Sequence, residues 1–117
     1  MPLEVSFFAP VALSIAEQRE FAEAFNPPLL AAESRAAGTV RFSELDNTPV
    51  LTLGRPRLVD TLLDVHRVFP DETEIPEGTK VMVEGIVPFA QYERGLALVF
   101  ALEEAMRGKA VLKGITL

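Results

Sequence analysis

Hydrophobic and polar residues alternate in three segments of this chain, and period-two alternation is typical of β-strands with one buried face. The segments are Leu3 to Ala9, Thr39 to Leu45 and Thr79 to Phe89. In the third segment both faces carry apolar residues, which favours a strand in the middle of a sheet. Turn residues at 46–49 predict that Val50 to Leu53 returns as the second strand of a hairpin.

Two segments have the spacing of amphipathic helices. Ser14 followed by Glu17 has the spacing of a capping box and predicts a helix over residues 15–25, which Pro27 ends. Pro56 suits the first position of a second helix over 56–69. The second helix would have one continuous apolar stripe, formed by Leu58, Leu62, Val65 and Phe69. The alanine-rich stretch from Leu29 to Ala37 predicts a short helix that ends at Gly38.

The segment from Leu96 to Leu102 is apolar at every position, so a buried strand and a helix running on to Met106 both fit it. We favour the strand, because Gly95 would weaken a helix. Ala110 to Leu117 then follows as a last strand. The predicted fold is a single α+β domain over residues 1–117. It has a mainly antiparallel sheet with a C-terminal β-meander, covered by two main helices at about 15–25 and 56–69.

The amino-acid composition limits the metal sites and catalytic groups that the chain can form. It has 117 residues, one histidine and no cysteine. Without cysteine or a second histidine, a nitrogen or sulfur metal site has too few ligands, so we expect no metal and no other cofactor. No serine stands in a glycine-flanked nucleophile motif, and enzymatic activity is therefore not favoured. Nothing in the sequence calls for an oxidising compartment or a membrane span, and the default location is the cytoplasm.

One junction could bind an anion or another small ligand. Arg55 and Arg57 flank Pro56 where a strand is predicted to pass into a helix, and the N-terminal end of a helix attracts anions. His66 lies on the same predicted helix and is the only imidazole. The alternative is a plain connecting turn, because Pro56 removes one amide donor and the junction has a single glycine. A small ligand-binding or enzymatic domain is thus one candidate function.

The formal net charge of −6 opposes binding to nucleic acid over the chain as a whole. The charge is uneven, since residues 79–117 carry five basic and four acidic side chains. Single-stranded nucleic acid could stack on aromatic residues in this region and contact its basic residues. The candidate residues are Lys80, Tyr92, Arg94, Lys109 and Lys113. Interleaved acidic residues argue for an ordinary solvated surface instead.

The abundance of apolar residues favours a protein-binding function. Hydrophobic residues make up 49% of the chain, and the mean hydropathy is +0.24. A domain of this length has limited means to bury all of them alone. We therefore expect a non-catalytic interaction or assembly module that forms a homo-oligomer and docks to a protein partner in a larger complex. A compact monomer whose helices cover both faces of the sheet is the alternative.

Overall fold

A computed structural model describes residues 2–34, 38–58 and 78–113. Over these ranges the chain forms an antiparallel sheet of seven strands and two α-helices, which confirms the predicted α+β class. The elements are β1 (Leu3–Ala9), α1 (Ile15–Ala24), β2 (Leu30–Glu33), β3 (Val40–Ser43), β4 (Pro49–Leu53), β5 (Arg57–Leu58), β6 (Val81–Val87), α2 (Tyr92–Ala105) and β7 (Lys109–Lys113). A single 3₁₀ turn, Phe89–Gln91, leads into α2.

The order of the strands across the sheet is β2-β3-β4-β6-β1-β7, and β5 also pairs with β6. Strand β1 lies inside the sheet, hydrogen-bonded to β6 on one side and to β7 on the other. Helix α1 lies between β1 and β4 in sequence, and β6 separates these two strands in the sheet. Helix α2 likewise lies between β6 and β7, which β1 separates. Strands β6 and β7 with α2 therefore form a split β-α-β unit, and after α1 the hairpin β2-β3 extends the sheet beyond β4.

The two helices pack on the same face of the sheet, which we call the covered face. Leu3, Val5 and Phe7 of β1 point to this face and belong to one buried cluster with Leu98 and Leu102 of α2. The cross-strand register places Val87 and Val83 of β6 beside the same β1 residues. The opposite face carries the other half of each strand. In β1 this half comprises the exposed Glu4 and the buried Ser6 and Phe8.

Helix α1 begins as the sequence predicts. The Ser14 side chain accepts a hydrogen bond of 3.1 Å from the Glu17 backbone N–H, and the Ser14 N–H donates one of 3.0 Å to the Glu17 carboxylate. These bonds satisfy two of the amide donors that a helix start leaves free. Hydrogen bonds to the Glu17 carboxylate, first from the Ser14 backbone N–H and then from the Ser14 hydroxyl, hold the pKa of Glu17 below its ordinary value. The helix ends at Ala24, one residue before the predicted boundary.

The prediction of a strand over 96–102 is wrong, because Tyr92–Ala105 forms helix α2. The buried positions of α2 are Gly95, Leu98, Val99 and Leu102, which is helical spacing. A Cβ on Gly95 would overlap Val87 Cγ1 and would lie 3.1 Å from the Val50 carbonyl oxygen. The glycine therefore allows α2 to approach the sheet closely. The C-terminal part is consequently strand, helix and strand rather than a β-meander, and β7 pairs with β1 instead of with a strand at 96–102.

Two predicted helices also differ from the structure where it is described. Leu30–Glu33 forms strand β2 and pairs with β3, so sheet pairing overrides the helix propensity of its alanines. Arg57–Leu58 forms β5, which pairs with β6, and the helix predicted over 56–69 therefore does not begin at Pro56. Residues 59–69 of that prediction lie outside the described residues. The end of the predicted last strand, residues 114–117, does so as well.

Candidate interaction surface

Four large apolar side chains are exposed at one end of the sheet, which we call the apolar end. They are Leu30 at the start of β2, Leu45 after β3, Ile86 near the end of β6 and Phe89 beyond it. Strands β2 and β4 begin at this end and β3 and β6 end at it, although Ile86 lies in a different cross-strand row from Leu30. Leu30 is opposite Ser43, Ser43 is opposite Pro49, and Thr52 is opposite Ile86. Each of the four is 45% to 69% exposed, so an apolar group faces solvent at each of these strand ends.

The turn that follows β3 has local hydrogen bonds that fix its shape. Thr48 N–H donates to the Asp46 carboxylate at 3.0 Å, and Asn47 adopts a left-handed backbone conformation with φ of 72°. Asparagine tolerates this conformation better than most residues. Hydrogen bonds from the Thr48 hydroxyl and from its backbone N–H lower the pKa of Asp46. The polar turn thereby holds Leu45 outward beside the end of the strand.

Arg94 connects three segments behind the apolar end. Its Nε and one terminal nitrogen donate to the two carboxylate oxygens of Glu44 at 2.7 and 3.2 Å. Its guanidinium also donates to the backbone carbonyls of Asn26 and Pro27 and lies 5.1 Å from the centre of the Phe25 ring. Arginine suits this site because its planar fork bonds a carboxylate with two donors and stacks on an aromatic ring. Arg94 thus joins α2 to the β3-β4 turn and to the segment after α1.

Aromatic residues sit beside this network. Phe89 and Tyr92 meet edge to face with ring centroids 5.4 Å apart. Phe89 is the more exposed of the two, and Tyr92 also packs against the hydrophobic core. Such pairs add stabilisation beyond the area that they bury. The start of α2 therefore holds Phe89 at the surface in a defined orientation.

Of the residues predicted to bind an anion, the structure describes Arg55 and Arg57, and neither lies at a helix start within the described residues. Arg55 is exposed and its guanidinium lies against Gly38, where an added Cβ would be 3.0 Å from the arginine Nε. Arg57 belongs to β5, and its guanidinium lies 3.6 Å from the Glu84 carboxylate. Because residues 57–58 pair with β6 as a strand, the helix N-terminus that the hypothesis required is not formed there. His66 lies outside the described residues.

The five residues predicted to bind nucleic acid lie at different parts of the fold. Lys80 precedes β6 and Tyr92 follows it, so the length of a seven-residue strand, roughly 20 Å, separates them. Lys109 and Lys113 are the first and last residues of β7. Arg94 is engaged by Glu44, with only 23% of its side chain exposed. The fold therefore does not assemble these residues into one basic, aromatic face.

One small cleft lies on the covered face between the start of α1 and the end of α2. Its volume of about 10 Å³ leaves room for about one water molecule, and its walls include Leu13, Pro56 and Met106. Gln18 also lines it and is 8% exposed. The amide nitrogen of Gln18 donates to the Leu13 carbonyl at 3.1 Å, and its Oε1 accepts no hydrogen bond. The cleft is too small and too apolar to hold an anion beside the arginines.

Further tests of binding chemistry concern only the described ranges. No group of three or more His, Cys, Asp or Glu residues in 2–34, 38–58 and 78–113 could hold a metal ion. Of the helices described, none is long and apolar enough to cross a membrane. Comparison with protein-family models, with curated proteins and with solved structures finds no match.

Two features of this surface escape prediction from the sequence. The alanines of the edge strand β2 predict a helix, so the strand is missed in the sequence. Pro28 before it and Gly38 after it are nevertheless typical of the ends of a hairpin. The Arg94–Glu44 pair joins residues fifty positions apart, and no local pattern relates them. Phe89, by contrast, could have been recognised as a surface residue, since it follows Pro88 at the end of a predicted strand.

Proposed function

We propose that this protein is a non-catalytic interaction module that associates with itself and docks to a protein partner in a larger assembly. The observation that carries the proposal is the apolar end, where Leu30, Leu45, Ile86 and Phe89 are exposed together. Single exposed apolar residues are ordinary on protein surfaces. Several at one end of a sheet are typical of a surface that binds another protein.

The way in which these side chains are held also supports an interaction surface. The Asp46–Thr48 bonds fix the turn that carries Leu45, and the contact with Tyr92 orients Phe89. The Arg94 network fixes the segments behind them. A surface held in place before binding loses little conformational entropy when a partner docks. Aromatic residues such as Phe89 are enriched at the centres of protein interfaces.

The charges favour a protein partner over nucleic acid. The net charge of −6 repels a phosphate backbone, and the candidate basic residues are dispersed over the fold. Arg57 and Arg94 are both paired with carboxylates. The absence of cysteine is compatible with a reducing compartment, and we place the module in the cytoplasm.

Light scattering across a concentration series tests self-association. We expect the mass per particle to rise from one chain towards two or more as the concentration increases. A single chain at every concentration would contradict the self-associating part of the proposal. Titration of the protein into a labelled single-stranded oligonucleotide at low salt should show no binding, and saturable binding would favour the nucleic-acid function instead.

Fluorescence of an apolar dye tests whether the apolar end forms one surface that binds apolar molecules. The double variant Leu45→Ser with Phe89→Ser should lose most of the dye fluorescence of the wild type. The matched control is Phe100→Ser, which removes a comparably exposed aromatic residue from the outer side of α2. Equal dye binding by the wild type and the double variant would show that these residues form no common surface.

A further inference from the structure

Among the described strands β2 forms one edge of the sheet, and half of its backbone groups point away from β3. Ser34 N–H donates to the Thr39 carbonyl at 2.7 Å, which sets the phase of the hydrogen bonds between β2 and β3. By the two-residue alternation of an antiparallel pair, Leu30 and Ala32 also bond towards β3. The N–H and C=O groups of Ala31 and Glu33 therefore point outward. Leu29 N–H also points outward, and it donates to the Ala22 carbonyl of α1 at 2.9 Å.

The side chains of β2 leave this edge open to another strand. Its sequence is Leu-Ala-Ala-Glu, and Leu30, Ala32 and Glu33 are exposed. Its pairing with β3 is regular, without a bulge. The other edge of the described sheet differs, because β7 begins at Lys109. Lysines on an edge strand discourage pairing with a second sheet, and β2 has none.

We propose that a second copy of this chain pairs antiparallel with β2, with Ala32 of each copy facing the other across a two-fold axis. The proposal rests on the self-association proposed above and names its surface. The two sheets would form one continuous sheet across the dimer. Main-chain hydrogen bonds give such pairings their affinity, as in other cases of strand addition.

The register follows from the direction of the backbone groups and from charge. With Ala32 at the axis, Ala31 of each copy is opposite Glu33 of the other. The outward groups of these residues then form two hydrogen-bonded pairs with four hydrogen bonds in total. Moving the axis to Glu33 would place two carboxylates directly opposite each other, which is destabilising. Moving it to Ala31 would place Glu33 opposite Leu29, whose N–H is already bonded to α1.

The same geometry leaves Leu45, Ile86 and Phe89 of the apolar end available. In the antiparallel pair, Leu30 of one copy lies beside Ser34 of the other, so the two apolar ends point in opposite directions. Self-association and partner docking would therefore share only Leu30. Four hydrogen bonds and two small side chains bury little area, so we expect a dimer whose population depends on concentration.

Cysteine cross-linking tests the register directly, because the chain has no cysteine of its own. Residues at the axis would form a non-hydrogen-bonded pair with Cα atoms about 4.5 Å apart, which a disulfide can span. Under mild oxidation, Ala32→Cys should give a product of twice the mass on a non-reducing gel. The matched control Ala97→Cys, at an exposed position of α2, should remain a single chain. Equal cross-linking of both variants would overturn the proposal.

Two substitutions at the edge test the backbone pairing. Ala31→Pro removes an outward N–H and leaves the bonds from β2 to β3 intact, since proline is tolerated on an edge strand at such a position. Ala32→Lys places two like charges at the axis. Either variant should halve the particle mass at concentrations where the wild type is a dimer, and circular dichroism checks that each is folded.

If the wild type and both folded variants scatter as the same dimer, self-association stands and the β2 edge is not its surface. If the wild type is a single chain at every concentration, self-association itself fails. If Ala31→Pro does not fold, Ala32→Lys and the cysteine pair decide the question alone.

Discussion

Gly95 allows a decisive test of how α2 packs on the sheet, because two effects of opposite sign compete there. An alanine in the middle of a helix is more favourable than a glycine by about 1 kcal/mol. At this position the new methyl group would overlap Val87 Cγ1, and Val87, the last residue of β6, is fully buried. Strand β6 is held by neighbours on both sides and has little room to move. Overpacking of such a site typically costs about 1–3 kcal/mol.

We therefore expect Gly95→Ala to destabilise the protein despite its better helix propensity. If the clash costs about 3 kcal/mol, the net loss is about 2 kcal/mol. With a urea m-value of about 2 kcal/mol/M, the unfolding midpoint falls by roughly 1 M. Urea titration followed by circular dichroism at equilibrium measures this shift.

Two further variants separate the clash from the helix propensity. Ala97→Gly, at an exposed position of the same helix, should lower the free energy of unfolding by about 1 kcal/mol. In a Val87→Ala background the overlapping methyl group is gone and the tight contact with the Val50 carbonyl oxygen at 3.1 Å remains, so Gly95→Ala should cost much less than it does in the native chain. A higher urea midpoint for Gly95→Ala in the otherwise native chain would refute the close approach of α2 to β6.

Three other predictions concern polar groups. Arg94→Ala should lower the free energy of unfolding by about 2 kcal/mol in chemical denaturation, because Arg94 donates charged hydrogen bonds to a half-buried Glu44. A double-mutant cycle with Glu44→Ala should show coupling, and simple additivity would contradict a direct pair. Ser14→Ala should cost about 1 kcal/mol through loss of the helix cap. Because the pKa of Glu17 is lowered in the folded state, its stabilisation is fully present above the unfolded-state pKa and is lost as the pH falls through the folded-state pKa. Glu17→Gln should therefore flatten the acid limb of a pH series of unfolding curves, and an unchanged limb would contradict the cap. Gln18→Met should change the free energy of unfolding by less than about 1 kcal/mol, since it removes one hydrogen bond but also a buried acceptor without a partner. A loss of several kcal/mol would show that the amide oxygen accepts a hydrogen bond in solution.

Local patterns in the sequence predict the elements whose burial is one-sided. Strands β1, β3 and β6 alternate, and the capping box marks the start of α1. The pattern fails for α2, because a helix that is apolar nearly all round has the same composition as a buried strand. In the sequence Gly95 argues against a helix, and this argument leads to the wrong prediction for 96–102. Its cost to an isolated helix is visible in the sequence, whereas its contact with Val87 depends on the tertiary structure.

The candidate surface is less accessible to sequence reasoning than the fold. Exposure of apolar residues was expected in general, yet the particular residues at the apolar end follow from the arrangement of the strands in the sheet. For Arg94 the sequence does not show the partner of the charged side chain. Its charge suggests a ligand contact, but the fold brings Glu44 to it from a distant part of the chain. Which residue pairs with a charged side chain depends on the topology of the fold, and local sequence patterns do not show it.

The position of β1 has a consequence for synthesis of the protein on the ribosome. This strand is made early, but its two partners begin at Val81 and Lys109. At a translation rate of roughly 5–20 residues per second, about 5–20 s elapse between β1 and β7. Until β6 is made both edges of β1 lack their partner strands, and the edge that pairs with β7 stays without its partner to the end of this interval. Completion of the sheet must therefore follow translation of β7. A nascent chain arrested before that point exposes an unpaired edge of β1, which can pair with another chain.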